Sequence, residues 1–261
     1  MIGGEKLSSN YLYVADIAGY GPALLGKMFA AQNMVGDVQW VFGGNYLPAK
    51  ENNLLTINML NNWISQWNAV ALWGPQEVSL EDFLLGRSDA WYENGGRDVV
   101  KELLGGRIIN DIGAIREMMR HQESISWLLA HLKVIYNAPK VVFARNGVYL
   151  NQDFLNTPID FAVNALGQYW WNPGSHHFAY NQTEKIVVTS LDQTSRIYGK
   201  YFDSDGRVIR GPADNRSFGI QYPNEPPRLI LHRGTKFDQN SQQELPIIYI
   251  INSEKGLVGA L

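Results

Sequence analysis

The chain has 261 residues, of which 45% are hydrophobic and 18% charged, and its formal net charge at pH 7 is −3. That length allows one sizeable core, while the acidic balance and the lack of any Lys/Arg cluster argue against a nucleic-acid partner. The absence of cysteine excludes disulfides, thiolate catalysis and Cys-ligated zinc.

The apolar runs, such as Leu245 to Ile251, are strand-length and far below the ~20 residues that cross a bilayer, so no membrane partner is expected. Met1 to Asn10 carry no charged-then-apolar leader pattern, which makes the cytoplasm the expected compartment. Eight Trp and thirteen Tyr exceed what such a core needs, pointing some of them to a groove or an interface and leaving a homo-oligomer open.

In chain order, Tyr11 to Asp16 reads as a buried strand that ends at a Gly-rich turn (Gly19, Gly21) opening a helix through about Ala31. Val38 to Phe42 is a second strand, closed by Gly43-Gly44. Leu54, Ile57, Leu60, Ile64 and Trp67 then recur at helical spacing, and Ala69 to Trp73 is a third strand stopped by Gly74-Pro75. Strand–helix–strand–helix–strand predicts a parallel sheet. Ile112, Ile115, Met118, Ile125, Leu128 and Leu132 predict one helical stripe over roughly 109–132. Short strands follow at Val134 to Tyr136, Lys140 to Ala144, Lys185 to Thr189, Ser195 to Phe202, Val208 to Arg210 and Arg228 to His232. Asp203-Ser204-Asp205-Gly206 reads as a hairpin turn. With no repeat and no linker, residues 1–261 read as a single domain.

Ligands of open α/β sheets gather where strand ends meet Gly-rich loops. Four such ends occur here: Asp16-Ile17-Ala18-Gly19, Gly43-Gly44-Asn45-Tyr46, Gly74-Pro75-Gln76-Glu77 and Ala144-Arg145-Asn146-Gly147. Their order and spacing resemble the motif series of the calcineurin-like metallophosphoesterases, in particular the bacterial serine/threonine-phosphatase and dinucleoside-tetraphosphatase branch. Trp91-Tyr92-Glu93-Asn94-Gly95-Gly96 and Val187-Val188-Thr189-Ser190-Leu191 add to the likeness, which spans about residues 11–194. The resemblance implies a two-sheet β-sandwich flanked by helices, in four layers α/β/β/α. It also implies a family norm of two divalent metals (Mn, Fe or Zn) held by carboxylate, His and Asn ligands, which generate hydroxide and neutralise the phosphoryl transition state.

Carried over position by position, the motif series keeps its first Asp as Asp16. The first His is Ala18, the bridging Asp is Asn45, the ligand Asn is Pro75, and the fourth-motif His is Arg145; the fifth motif has no His. The general-acid His is Gln76, followed by Glu77, and the phosphate-gripping pair is Pro48 and Ala49. One carboxylate would face four metal charges, and a guanidinium stands where a ligand belongs. The expectation is a pseudo-phosphatase that needs no cofactor and binds a small phosphorylated ligand or a protein partner without hydrolysis. Two alternatives stand beside it: a working phosphohydrolase with metal ligands relocated to His176, His177 or Glu77, and a structural or assembly protein.

Other constellations carry less. Gly19-Tyr20-Gly21 misses the dinucleotide spacing. His121 and His131, ten apart on the expected helix, cannot chelate together. Asp203 and Asp205 lack the later ligands of a calcium loop. Arg145 has two readings: an anion-gripping group in the vestigial pocket, or a partner for Asp16 that fills the space of the metals. The charge balance of a buried strand end predicts the pairing.

Overall fold

A computed structural model of the chain describes residues 10–15, 17, 21–48, 52–107, 109–149, 153–164, 171–172, 177–178, 185–190, 201–202, 208–209, 217–220, 229–232, 235–238, 243–246, 248–253 and 256–261. In chain order the first half runs β1 (Asn10–Val14), α1 (Gly21–Val35), β2 (Gln39–Phe42), α2 (Asn53–Gln66), β3 (Val70–Ala71), α3 (Pro75–Leu84), α4 (Arg97–Leu103), α5 (Ile112–Arg120) and α6 (Glu123–His131). The second half runs β4 (Ile135–Asn137), β5 (Val141–Ala144), α7 (Ile159–Asn164), β6 (Trp171–Asn172), β7 (His177–Phe178), β8 (Ile186–Ser190), β9 (Tyr201–Phe202), β10 (Val208–Ile209), β11 (Ser217–Ile220), β12 (Leu229–His232), β13 (Thr235–Asp238), β14 (Gln243–Pro246), β15 (Ile248–Asn252) and β16 (Gly256–Ala260).

Two five-stranded sheets organise these elements, in the orders β16-β15-β1-β2-β3 and β11-β12-β8-β5-β4. In the first, β1, β2 and β3 are parallel as expected, and the chain's last two strands add antiparallel at β1. In the second, β5, β8 and β12 are parallel, with antiparallel β4 and β11 at the edges. Alternation along each strand sorts side chains to opposite faces. Leu12, Val14, Trp40 and Phe42 join one core with the buried faces of α1 to α6. Tyr11, Tyr13, Val41 and Leu72 join a second core with Val141, Phe143 and Val188 of the other sheet. The sheets therefore pack face to face, with the Tyr11 and Phe143 rings 5.2 Å apart, and six helices cover the outer side of the first. This is the expected two-sheet α/β architecture.

Several element expectations shift. Strand β1 ends at Val14 rather than Asp16, and α1 runs four residues beyond Ala31. On α2 the buried residues are Asn53, Thr56, Ile57, Leu60 and Trp63; Leu54 of the expected stripe faces outward and Trp67 lies past the helix end, so the buried face takes in Asn53 and Thr56 instead. The single helix over 109–132 is two, because His121 and Gln122 leave helical geometry and Gln122 is extended (ψ 109°). His121 thus lies in the break just after α5, and His131 ends α6. Helix α3 has no counterpart in the sequence reading. The hairpin is present as β9 and β10, which pair antiparallel; the turn 203–206 and the proposed strand start at Ser195 lie outside the described residues. No helix among the described residues is long and apolar enough to cross a membrane.

Helix α2 begins without a side-chain cap from its own N-cap residue, Asn52. Glu102 of α4 supplies one instead: it accepts from Asn53 N (3.0 Å), Asn53 Nδ2 (2.9 Å) and Leu54 N (2.9 Å). Burial works to raise the Glu102 pKa, but these hydrogen bonds outweigh it and hold the carboxyl below its usual range. Glu102→Ala is expected to cost about 1 kcal/mol in urea unfolding. The depressed carboxyl gives a contribution present above its unfolded pKa and lost as pH falls through the folded one, so the variant and the parent should converge in acid.

Candidate functional site at the carboxyl edge of the two sheets

Parallel strands bring their carboxyl ends to one edge, where β1, β2, β3 and β5 hand over to the four Gly-bearing loops. The loop after β2 turns through two left-handed residues, Gly44 (φ +96°) and Asn45 (φ +58°). A Cβ on Gly44 would stand 2.6 Å from Gly74 Cα, so these two loops approach backbone to backbone and only glycine fits there.

Glu77 holds that contact. It is the third residue of α3, fully buried, and it places both carboxyl oxygens among main-chain donors. Oε2 accepts from Asn45 N (2.8 Å) and Gly74 N (3.2 Å); Oε1 accepts from Tyr46 N (2.7 Å) and Leu47 N (3.2 Å). Burial pushes its pKa up to about 7, against the downward pull of those hydrogen bonds and of the Arg145 guanidinium. Tyr46, also fully buried, sets its hydroxyl between Phe42 O (3.1 Å) and Leu72 O (3.0 Å). Burial first, and the nearby Glu77 charge second, raise its pKa well above the ordinary value. Trp91 Nε1 donates to Leu47 O (3.4 Å), which ties the Trp-x-x-Asn-Gly-Gly segment to the same loop. That segment leaves helical geometry at Asn94 and Gly95, and a Cβ on Gly95 would lie 3.0 Å from Pro48 Cγ.

Arg145 follows β5 in the second sheet and is 4% exposed. Its Nη1 donates to Ala15 O, just past β1, and to Gly43 O (3.2 Å), just past β2. One buried cation thus bridges the two sheets at the edge where their strands end. Asn146 beside it donates from Nδ2 to Val163 O and from its backbone N to Ala162 O (2.8 Å), anchoring α7.

Of the positions singled out in the sequence, the structure gathers Asn45, Pro75, Gln76, Glu77 and Arg145 at this edge. Asp16, Ala18, Ala49 and His176 lie outside the described residues, and with them the expected pairing of Asp16 with Arg145. His177 is in β7. His121 instead contacts Glu117 (2.9 Å), and the His131 ring stacks on Trp127. What sequence reasoning missed is the cradle role of Glu77, which it had considered as a relocated metal ligand. The signal was local: Gly-Pro-x-Glu opens a helix with Pro at its first turn and Glu at its third residue.

The donor set of the described residues does not fit a pair of divalent metals. Pro75 offers no side-chain donor, and Asn45 Oδ1 is turned to Gln76 N (3.4 Å). The lone pairs of Glu77 are committed to four N–H groups, and Arg145 brings a positive charge. No group of three or more His, Asp or Glu that could hold a metal ion occurs among the described residues.

No family model matches the chain, and no curated protein matches it. Solved structures do. A crystal structure of a protein assigned as a diadenosine tetraphosphatase aligns over 98% of this chain and 94% of its own, with TM-score 0.53 and 11% identity. A cold-active protein tyrosine phosphatase, solved at 1.1 Å, aligns over 94% of this chain and 74% of its own, with TM-score 0.50 and 10% identity. At these identities the likeness is one of fold: this chain shares the mixed α/β two-sheet architecture of those phosphatases.

Proposed function

We propose that residues 1–261 form one phosphoesterase-fold domain that does not hydrolyse phosphate esters and instead binds a small phosphorylated ligand or a protein partner at the carboxyl edge of its sheets. The observation that carries this reading is Arg145: a guanidinium buried against the ends of β1 and β2, where the motif resemblance calls for a neutral metal ligand. A cation at that spot repels a divalent ion as well as failing to ligate it. Gln76, in the general-acid position, cannot release a proton at useful pKa. The engagement of both Glu77 oxygens favours this reading over relocated metal ligands.

Two measurements test it together. Elemental analysis of the purified protein should find Mn, Fe and Zn far below stoichiometric. Turnover of p-nitrophenyl phosphate, its bis-ester and dinucleoside polyphosphates, with Mn²⁺ added, should equal the buffer control. Metal-dependent hydrolysis abolished by Asp16→Ala would overturn the proposal; hydrolysis abolished by His177→Ala would favour relocated ligands.

A further inference from the structure

Independently of that edge, the outer faces of α1 and α2 carry an unusual surface. Among the described residues, four of the six exposed large apolar side chains are on these two helices: Phe29 (48% exposed), Met34 (68%), Leu54 (41%) and Leu55 (45%). The 15 residues of α1 and 14 of α2 contain one charged side chain, Lys27, against 18% charged residues in the whole chain. A water-facing helix side ordinarily carries its charges there. Here α1 turns outward Gly26, Phe29, Ala30, Asn33 and Met34, while α2 turns outward Asn58, Asn62, Ser65 and Gln66. Depletion of charge with exposed aromatic and Met side chains is the composition of an interface centre.

We propose that this face joins two copies of the chain in a two-fold dimer. The shape suits it. A groove of about 460 Å³ between α2 and α6, lined by Asn61, Asn62, Ser65, Glu123, Ser124 and Trp127, accompanies the apolar ridge of α1, where Phe29 stands edge-on to Trp67 (5.4 Å) just past the end of α2. A two-fold interface needs both shapes on one patch, because the same patch must face itself.

The chemistry suits it as well. A residue near the axis meets its own image, so a Lys or Glu there repels itself, whereas a carboxamide has both donor and acceptor and pairs with its copy. Helix α2 offers the exposed Asn58 and Asn62 for that place. Charge on this face is sparse, with Glu123 of α6 and the half-buried Lys27 of α1, so a partner recognised by charge has little to grip. The extent is adequate: α1, α2 and α6 together present a face roughly 20 by 30 Å, on the order of the ~800 Å² per partner of a standard interface.

Light scattering of the native protein at tens of micromolar should give twice the 29.4 kDa chain mass. Met34→Glu and Asn62→Glu, both at exposed positions, should weaken association about tenfold or more with unchanged circular dichroism; Leu155→Glu, exposed elsewhere, should not. Because the chain has no cysteine, single variants report the axis directly. At least one of Asn58→Cys, Asn62→Cys and Ser65→Cys should form a disulfide-linked dimer on mild oxidation, which needs Cα atoms within about 7 Å, and Leu155→Cys should not. A native protein that is monomeric at these concentrations, or a dimer indifferent to both Glu variants and to all three Cys positions, overturns the proposal.

Discussion

Arg145→Ala is expected to destabilise the protein by about 3–5 kcal/mol and to lower its thermal midpoint by roughly 10 °C. The guanidinium lies almost wholly out of water and donates to Ala15 O and Gly43 O at the ends of two neighbouring strands. Removing it takes a charged donor away from two main-chain acceptors in a dry site. It also takes away the positive charge that offsets Glu77, and it severs a tie between the two sheets. Arg145→Lys separates charge from geometry, since a shorter ammonium keeps the charge but cannot present the same planar fork; it should fall between the parent and the Ala variant. Urea unfolding followed by tryptophan fluorescence would measure all three. A midpoint unchanged in Arg145→Ala would mean that the contact is incidental and that the side chain is available for an anion.

The parallel core of the first sheet was legible because the runs Tyr11 to Asp16, Val38 to Phe42 and Ala69 to Trp73 each end at a glycine-bearing turn, with helical periodicity between them. Four strands of the second sheet, β4, β5, β8 and β12, were legible, but edge strand β11 was not, and neither was the order, since nothing local tells β8 to lie between β5 and β12. The return of β15 and β16 to β1 was likewise invisible, being a pairing across more than two hundred residues. The break at His121–Gln122 was missed because the apolar stripe continues in phase across it. At the site, the glycine-bearing strand ends that carry Asn45, Pro75, Gln76 and Arg145 could be read from the sequence. The partners of Arg145 could not, because main-chain carbonyls leave no mark in a sequence. Glu77 was half legible: its place in the Gly-Pro-x-Glu helix start is local, but three of its four partners, Asn45 N, Tyr46 N and Leu47 N, are backbone groups of another loop.

Glu77 supplies the second large effect, through pH. Its folded pKa, about 7, lies above the ~4.3 of an exposed glutamate. Between those values the folded chain binds a proton that the unfolded chain has released, so stability falls as pH rises. The contribution is therefore full below the unfolded pKa and is lost as pH climbs through 7, a decline of about 2–3 kcal/mol between pH 5 and pH 8. Thermal midpoints of the native protein should drop across that window. In Glu77→Gln the slope assigned to this group should vanish. Stability should also be lower at every pH, because the amide NH₂ turns toward two of the four N–H donors and leaves both unsatisfied at about 1–3 kcal/mol each. Carboxyl ¹³C shifts of the native protein would follow the titration even if that variant fails to fold. A Glu77 signal that is fully ionised down to pH 5 would mean that the four N–H groups and Arg145 outweigh burial, and the stability slope would then have to come from another group.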